Sequence, residues 1–292
     1  MFAQEFIHPE DNEALRQMEA IPGFPALVKK FMSIGAETSL YGVNMATNIR
    51  LSPTQLPDIY RRLPPICQFF GINEPEFYLN MNPFPNAWTN GDTRIFLVVT
   101  SGLLETMSDE EINAVIAHEC GHILCRHVLY HTMARLMQNG LEGSSIFGTL
   151  ASPIKFAIYY WERKSELSAD RAAALYTSPK TVAHMMARLA GGPLDITSNI
   201  NFDEWAEQAE QYDRIRNDNL WNKTLQMYSV LKNNHPYAAV RVREIMKWAE
   251  TDQYKMLKHP RLESVNVQRC PKCGCDVEDD WLFCRNCGAK LK

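Results

Sequence analysis

Five residues near the middle of this 292-residue chain, His118-Glu119-Cys120-Gly121-His122, carry the spacing H-E-x-x-H. Residues four apart on a helix share a face, so both imidazoles can reach a single ion. Glu119 projects from a neighbouring part of that face and can stand beside a metal-bound water without ligating the metal itself. Zinc lowers the pKa of such a water from about 15.7 towards 7, and a carboxylate can then take its proton. The pattern arises by chance in on the order of one per cent of chains this long, and a hydrolytic zinc needs a third protein ligand and an open position. The best downstream source is Ser165-Glu166-Leu167-Ser168-Ala169-Asp170, where Glu166 and Asp170 are again four apart. Glu166 can ligate while Asp170 accepts a hydrogen bond from a ligand imidazole, fixing its tautomer and raising its basicity. Ala169, Ala172, Ala173 and Ala174 would let this helix approach the first one closely. The bland alternative is a solvated acidic face; the preceding H-E-x-x-H tips the balance against it.

His127 and His131 form a second i, i+4 pair. On one continuous helix His127 lies roughly half a turn round from His118, so it cannot serve the same ion. The expectation is a pair of surface histidines. Cys120 lies about 200° round from His118 and reads as a core residue, not a ligand.

The tail holds a second metal motif. Cys270-Pro-Lys-Cys273-Gly-Cys275 is followed by Phe283-Cys284-Arg-Asn-Cys287-Gly288. Two C-x-x-C pairs, each followed by glycine, mark a zinc ribbon: Cys270, Cys273, Cys284 and Cys287 close a structural zinc site, and so small a segment depends on its metal to fold. Cys275 is a spare fifth cysteine with no assigned role. From Gln268 to Lys292 there are five basic residues and four acidic ones, a balance that argues against a phosphate-tracking surface. A protein partner suits the ribbon better than nucleic acid.

The elements that must position these residues follow from capping and periodicity. Ser52-Pro53-Thr54-Gln55 reads as a helix start, with that helix ending near Leu63 before Pro64-Pro65. Glu76–Met81 and Arg94–Thr100 read as strands around the turn signal Asn90-Gly91-Asp92. Ser108-Asp109-Glu110-Glu111 is a capping box that opens a long helix to about Leu136. Further helices are expected at about 160–175, 180–190, 202–231 and 237–258, with His259-Pro260 closing the last. The fold class is α+β and mostly helical, with a small sheet before the H-E-x-x-H helix. The division is 1–260 for the main domain (a helical part to about 70, the catalytic part 71–260), 261–269 for a linker and 270–292 for the ribbon.

Hydrophobic residues make up 46% and charged residues 22%, an ordinary globular profile, and the net charge of -4 gives no pull towards nucleic acid or anionic lipid. The N-terminus MFAQEFIHPEDNEALRQ lacks a basic region followed by an apolar run, so no secretory signal is expected. Ser144–Trp161 is apolar but broken by Pro153 and Lys155, which favours a buried hairpin or amphipathic helix over a spanning segment. Clustered cysteines suit a metal site in a reducing compartment, so the expected location is the cytoplasm, with peripheral membrane association allowed.

These residues resemble the HtpX-like and CAAX-prenyl-protease-like zinc endopeptidases, a glutamate-zincin family. The resemblance runs through most of residues 45–250 and is strongest at Pro85–Gly91, Val99–Leu104, Asn113–Ile123 and Trp161–Ala172, with a further match at His235-Pro236 followed by Arg241. It implies a catalytic zinc held by His118, His122 and Glu166, with Asp170 behind the first histidine. It also implies an extended substrate along Asn86, Ala87, Trp88 and Thr89, and an oxyanion-facing His235. The implied activity is hydrolysis of peptide bonds in protein substrates, with Glu119 as general base. Known members carry several membrane spans and none is evident here, so a member acting on exposed or misfolded segments, in protein quality control, fits better. The competing readings are a catalytically silent protease-like scaffold and a zinc-ribbon binding protein.

Overall fold

A computed structural model describes residues 1–33, 35–138, 152–218, 237–263, 268–269, 276–277 and 289–290. Helices α1 (Pro9–Glu19), α2 (Phe24–Ser33) and α3 (Ala36–Thr47) lead into β1 (Ile49–Arg50), α4 (Pro57–Tyr60) and α5 (Leu63–Phe70). Strands β2 (Glu76–Asn80), β3 (Ala87–Gly91) and β4 (Ile95–Thr100) follow. Then come α6 (Ser101–Thr106), α7 (Asp109–Leu124), α8 (Val128–Gln138), α9 (Ser152–Tyr176), α10 (Pro179–Gly191), α11 (Leu194–Thr197), α12 (Phe202–Asp218) and α13 (Ala238–Ala249). The segment Glu250–Lys292 forms a separate compact unit with α14 (Asp252–Glu263), β5 (Gln268–Arg269) and β6 (Asp276–Val277), the two strands pairing antiparallel.

The fold is mostly helical with one small sheet in the order β1-β2-β4-β3. Its centre is the parallel pair β2–β4, with Tyr78 opposite Val98; β1 and β3 flank it antiparallel. β3 is therefore an edge strand. Among its residues, Gly91 turns its N–H and C=O away from β4 and onto the Thr132 hydroxyl of α8. Glu37 closes the β3–β4 turn, its carboxylate accepting from the amides of Asp92, Thr93 and Arg94.

Local signals explain most boundaries, and several differ from the sequence expectation. The Ser52 hydroxyl caps only a tight turn, accepting from the amides of Thr54 and Gln55. Pro64-Pro65 then sits in the first turn of α5, where a missing N–H costs nothing, so the prolines open a helix instead of ending one. The helix expected to reach Leu136 stops at Leu124, because Arg126 takes a left-handed φ of 61° before α8 begins. The helix expected over 237–258 breaks after Ala249, where the Thr251 hydroxyl caps a new helix, and Pro260 lies within that helix. α9 also begins earlier than expected, with Pro153 in its first turn. Ile154, Ile158, Tyr159 and Trp161 on it are buried, which is the amphipathic reading of that stretch; residues 139–151 lie outside the described residues. No helix among the described residues is long and apolar enough to cross a membrane.

α1 starts on a His8 cap, whose Nδ1 accepts from the Glu10 amide, with Pro9 at the first position. It buries Asp11, Ala14 and Met18, one stripe at helical spacing, against α9. Met18, Phe24, Phe31, Met133, Met137, Ile158 and Trp161 form one apolar cluster drawn from α1, α2, α8 and α9. The two N-terminal helices are thus part of the core beneath α9. α7 packs along α9, and this pair carries the site.

Candidate metal centre

The start of α7 is a full capping box: the Ser108 hydroxyl accepts from the Glu111 amide and the Glu111 carboxylate accepts from the Ser108 amide. Two turns later His118, Glu119 and His122 are all buried. Gly121 lies between them against α9. A Cβ there would stand 2.7 Å from Ala172 Cβ and 3.2 Å from Ala169 Cα, so only glycine lets the two helices meet this closely. Of the four alanines expected to allow close approach, Ala169 and Ala172 stand at this contact.

That approach brings Glu166 onto the two histidines. The His118 and His122 Nε2 atoms are 3.1 Å apart. Glu166 places Oε2 3.5 Å from His118 Nε2 and Oε1 3.3 Å from His122 Nε2. Atoms held about 2.0–2.1 Å from a tetrahedral ion lie roughly 3.3 Å from one another, so these three donors have the spacing of ligands around one zinc. Glu119, Glu166 and Asp170 are all buried around the two histidines, with Arg241 against two of them.

Asp170 Oδ1 lies 3.0 Å from His118 Nδ1. Burial alone would lower the His118 pKa, but its hydrogen bonds to Asp170 and Glu166 and their charges outweigh it and hold it up at about 9. Burial drives His122 the other way, below its usual value. Arg241 of α13 is a site residue for which helical spacing predicts no role. It forks onto Asp170, Nε to Oδ2 at 2.7 Å and Nη2 to Oδ1 at 2.6 Å, and sets Nη1 2.9 Å from Glu166 Oε2. Its position five residues after His235-Pro236 was the only signal.

A carboxylate oxygen of Glu119 lies within 4.8 Å of a ring nitrogen on both His118 and His122. Glu119 and His118 line a pocket with Asn86 and Ala87 from the β3 edge, Leu103 from α6 and Met185 from α10. Ala87 and Thr89 are buried, and Trp88 is half-buried with the Arg135 guanidinium 5.1 Å from its ring centre. The four residues expected to meet substrate are therefore brought to the metal-facing pocket only through Asn86 and Ala87. His235 and the ribbon cysteines Cys270, Cys273, Cys284 and Cys287 lie outside the described residues.

Cys120 is buried and far from ligand duty, with its thiol pushed well up by burial and by neighbouring Cys67. The surface reading of His127 and His131 is wrong. Both are buried, and His127 Nδ1 lies 3.1 Å from His122 Nδ1. The half-turn argument assumed one continuous helix, and the left-handed Arg126 turns the chain back so that His127 and His131 face His122.

Two family models match the chain. Peptidase family M48 matches residues 53–249, and a zinc-ribbon domain matches residues 269–291. A plastoglobule-localized metallopeptidase 48 of Arabidopsis thaliana is 33% identical over 91% of this chain and 78% of its own length. A protease HtpX homolog of Neisseria meningitidis is 29% identical over 45% of this chain, and that of Moorella thermoacetica 25% identical over 48%. The matched part spans 58% and 57% of those two proteins. The crystal structure of S. mikatae Ste24p overlays with a TM-score of 0.41 at 16% identity, over 80% of this chain and 60% of that one. With most of its length matched by the family and a relative aligned over most of both chains, the chain belongs to peptidase family M48 and is a metalloprotease that uses zinc.

Proposed function

We propose that the protein is a zinc endopeptidase in which His118, His122 and Glu166 hold the catalytic zinc and Glu119 is the general base. The observation that carries this reading is the spacing of three donors from α7 and α9, with the Glu119 carboxylate beside them in a pocket shared with Ala87. Zinc, when bound, supplies Lewis acidity towards a peptide carbonyl and lowers the pKa of water towards about 7. Glu119 accepts the proton of the attacking water and passes it to the leaving amide nitrogen. Asp170 holds His118 by Nδ1, leaving Nε2 free to donate its lone pair. Arg241 fixes the orientation of both carboxylates. An extended substrate lies along the β3 edge from Asn86 through Thr89, and His235 assists at the oxyanion.

Cys270, Cys273, Cys284 and Cys287 hold a second, structural zinc, which makes one catalytic and one structural ion per chain. The ribbon serves to capture a protein partner or substrate, with residues 1–260 as the peptidase domain and 261–269 as the linker. Substrates are exposed or misfolded protein segments, as in protein quality control, in the cytoplasm or at a membrane surface.

The test compares wild type with Glu119→Ala for zinc content and for cleavage of an unfolded protein such as casein. Two zincs in both proteins, and chelator-sensitive cutting by wild type alone, is the expected result. One zinc per chain, lost with the ribbon, would instead favour a catalytically silent scaffold.

A further inference from the structure

The second metal-facing histidine has its own support, and it comes from the N-terminal helix. His122 Nδ1 is 3.1 Å from His127 Nδ1, and His127 Nε2 is 3.1 Å from Asp11 Oδ2. Asp11 is completely buried on α1 and meets no lysine or arginine in a direct ion pair among the described residues. Two donors reach it instead, the Trp161 indole N–H at 3.0 Å and the Ser168 hydroxyl at 2.5 Å, with His127 Nε2 standing 3.1 Å away. Ser168 lies on α9 between Glu166 and Asp170, and its oxygen also accepts from the His8 amide at the cap of α1. The Trp161 N–H can only donate and the Ser168 hydroxyl donates here, so both Asp11 oxygens act as acceptors.

From this geometry we infer that Asp11 and His127 are positioning residues that set the tautomer of His122 for metal binding. With Asp11 as the acceptor facing His127 Nε2, the His127 proton belongs on Nε2. The Nδ1 lone pair of His127 then faces His122 Nδ1, so His122 carries its proton there. The His122 Nε2 lone pair is left facing His118 and Glu166. Asp170 does the same for His118 directly; Asp11 does it for His122 through one imidazole. The inference rests on the zinc assignment to His118, His122 and Glu166.

The experiment uses the full chain and has two readouts besides activity. Zinc affinity is measured against a chromophoric chelator for wild type, Glu166→Ala, His127→Leu and His127→Asn; the ribbon is common to all. Nitrogen-15 NMR of the imidazoles in wild type reports the His122 tautomer without any substitution. His127→Leu removes the acceptor and is expected to weaken zinc binding by about 10–100-fold, the usual effect of losing an outer partner of a metal ligand. His127→Asn restores a side-chain oxygen near the Nδ1 position and is expected to recover most of that loss, which a purely packing role would not predict. His122 protonated on Nε2, or His127→Leu binding zinc as tightly as wild type, overturns the inference while leaving the zinc assignment intact. Wild-type zinc content unchanged by Glu166→Ala overturns both. A third zinc per chain, lost on His131→Ala, replaces the tautomer relay with a second ion among His122, His127 and His131.

Discussion

Arg241 and Asp170 form a two-pronged pair in which Nε and Nη2 reach the two carboxylate oxygens at 2.7 and 2.6 Å, with both side chains 2% exposed. Removing one member of a buried pair leaves the other charged and unsatisfied, which costs about 3–5 kcal/mol. Arg241→Gln should therefore lower the urea midpoint strongly and reduce zinc retention. Arg241→Lys keeps the charge but loses the fork and the reach to Glu166, so it should recover only part of the stability. Equal stability of wild type and Arg241→Gln would show that the pair is dispensable.

Glu119 has a carboxylate oxygen within 4.8 Å of a ring nitrogen on each metal-facing histidine. Glu119→Gln should keep wild-type zinc content and thermal midpoint. Its kcat on an unfolded protein should fall by about 10²–10⁴-fold, the usual contribution of a positioned general base. Loss of zinc together with activity would make Glu119 a ligand instead.

Gly121 is the contact point of α7 with α9. Gly121→Ala puts a methyl into Ala172, and overpacking of this kind costs about 1–3 kcal/mol. Because the same two helices carry His118, His122 and Glu166, zinc affinity should fall with stability. Gly42 on α3 has open space around it, so Gly42→Ala is the control that should leave zinc affinity unchanged and raise stability by about 0.5–1 kcal/mol.

His8 gives a pH signature. Burial first, and then the Arg171 charge, lower its pKa from 6.5 to about 4. As pH falls below 6.5 the unfolded chain takes up a proton that the folded chain refuses until about pH 4, so folding stability is lost across that window. At about 1.4 kcal/mol per tenfold change in proton affinity, the loss is on the order of 3–4 kcal/mol. His8→Asn keeps a capping side chain without a titrating ring. It should flatten the pH 4–6.5 decline relative to wild type while leaving stability at pH 8 nearly unchanged. Parallel urea-midpoint profiles for the two proteins would count against this.

What could be read from the sequence was whatever sits within one uninterrupted helix. His118 with His122, and Glu166 with Asp170, are each four apart on α7 and α9, so helical spacing alone put them on shared faces. The strands Glu76–Asn80 and Ile95–Thr100 were legible through their β-branched and aromatic runs, whereas β1 is two residues long and β3 lacks branched residues apart from Thr89. The reading failed for His127 because an arginine, not a glycine or asparagine, takes the left-handed turn at 126. The roles of Arg241 and Asp11 could not be seen, since each reaches the site from a helix remote in sequence. Their charge is unremarkable until tertiary packing removes water from around it.

The Gly121 contact also bears on which ion the site can accept. Two helices already touching at backbone level cannot close further, and the apolar packing of α9 on α1 and α8 resists their spreading. The three donors are thus confined to the short separations suited to a small four-coordinate cation. Calcium, which needs six to eight oxygens at about 2.3–2.6 Å, would have to prise the helices apart and would still meet two nitrogens. Selectivity at this centre is in that sense a property of a missing methyl group on α7.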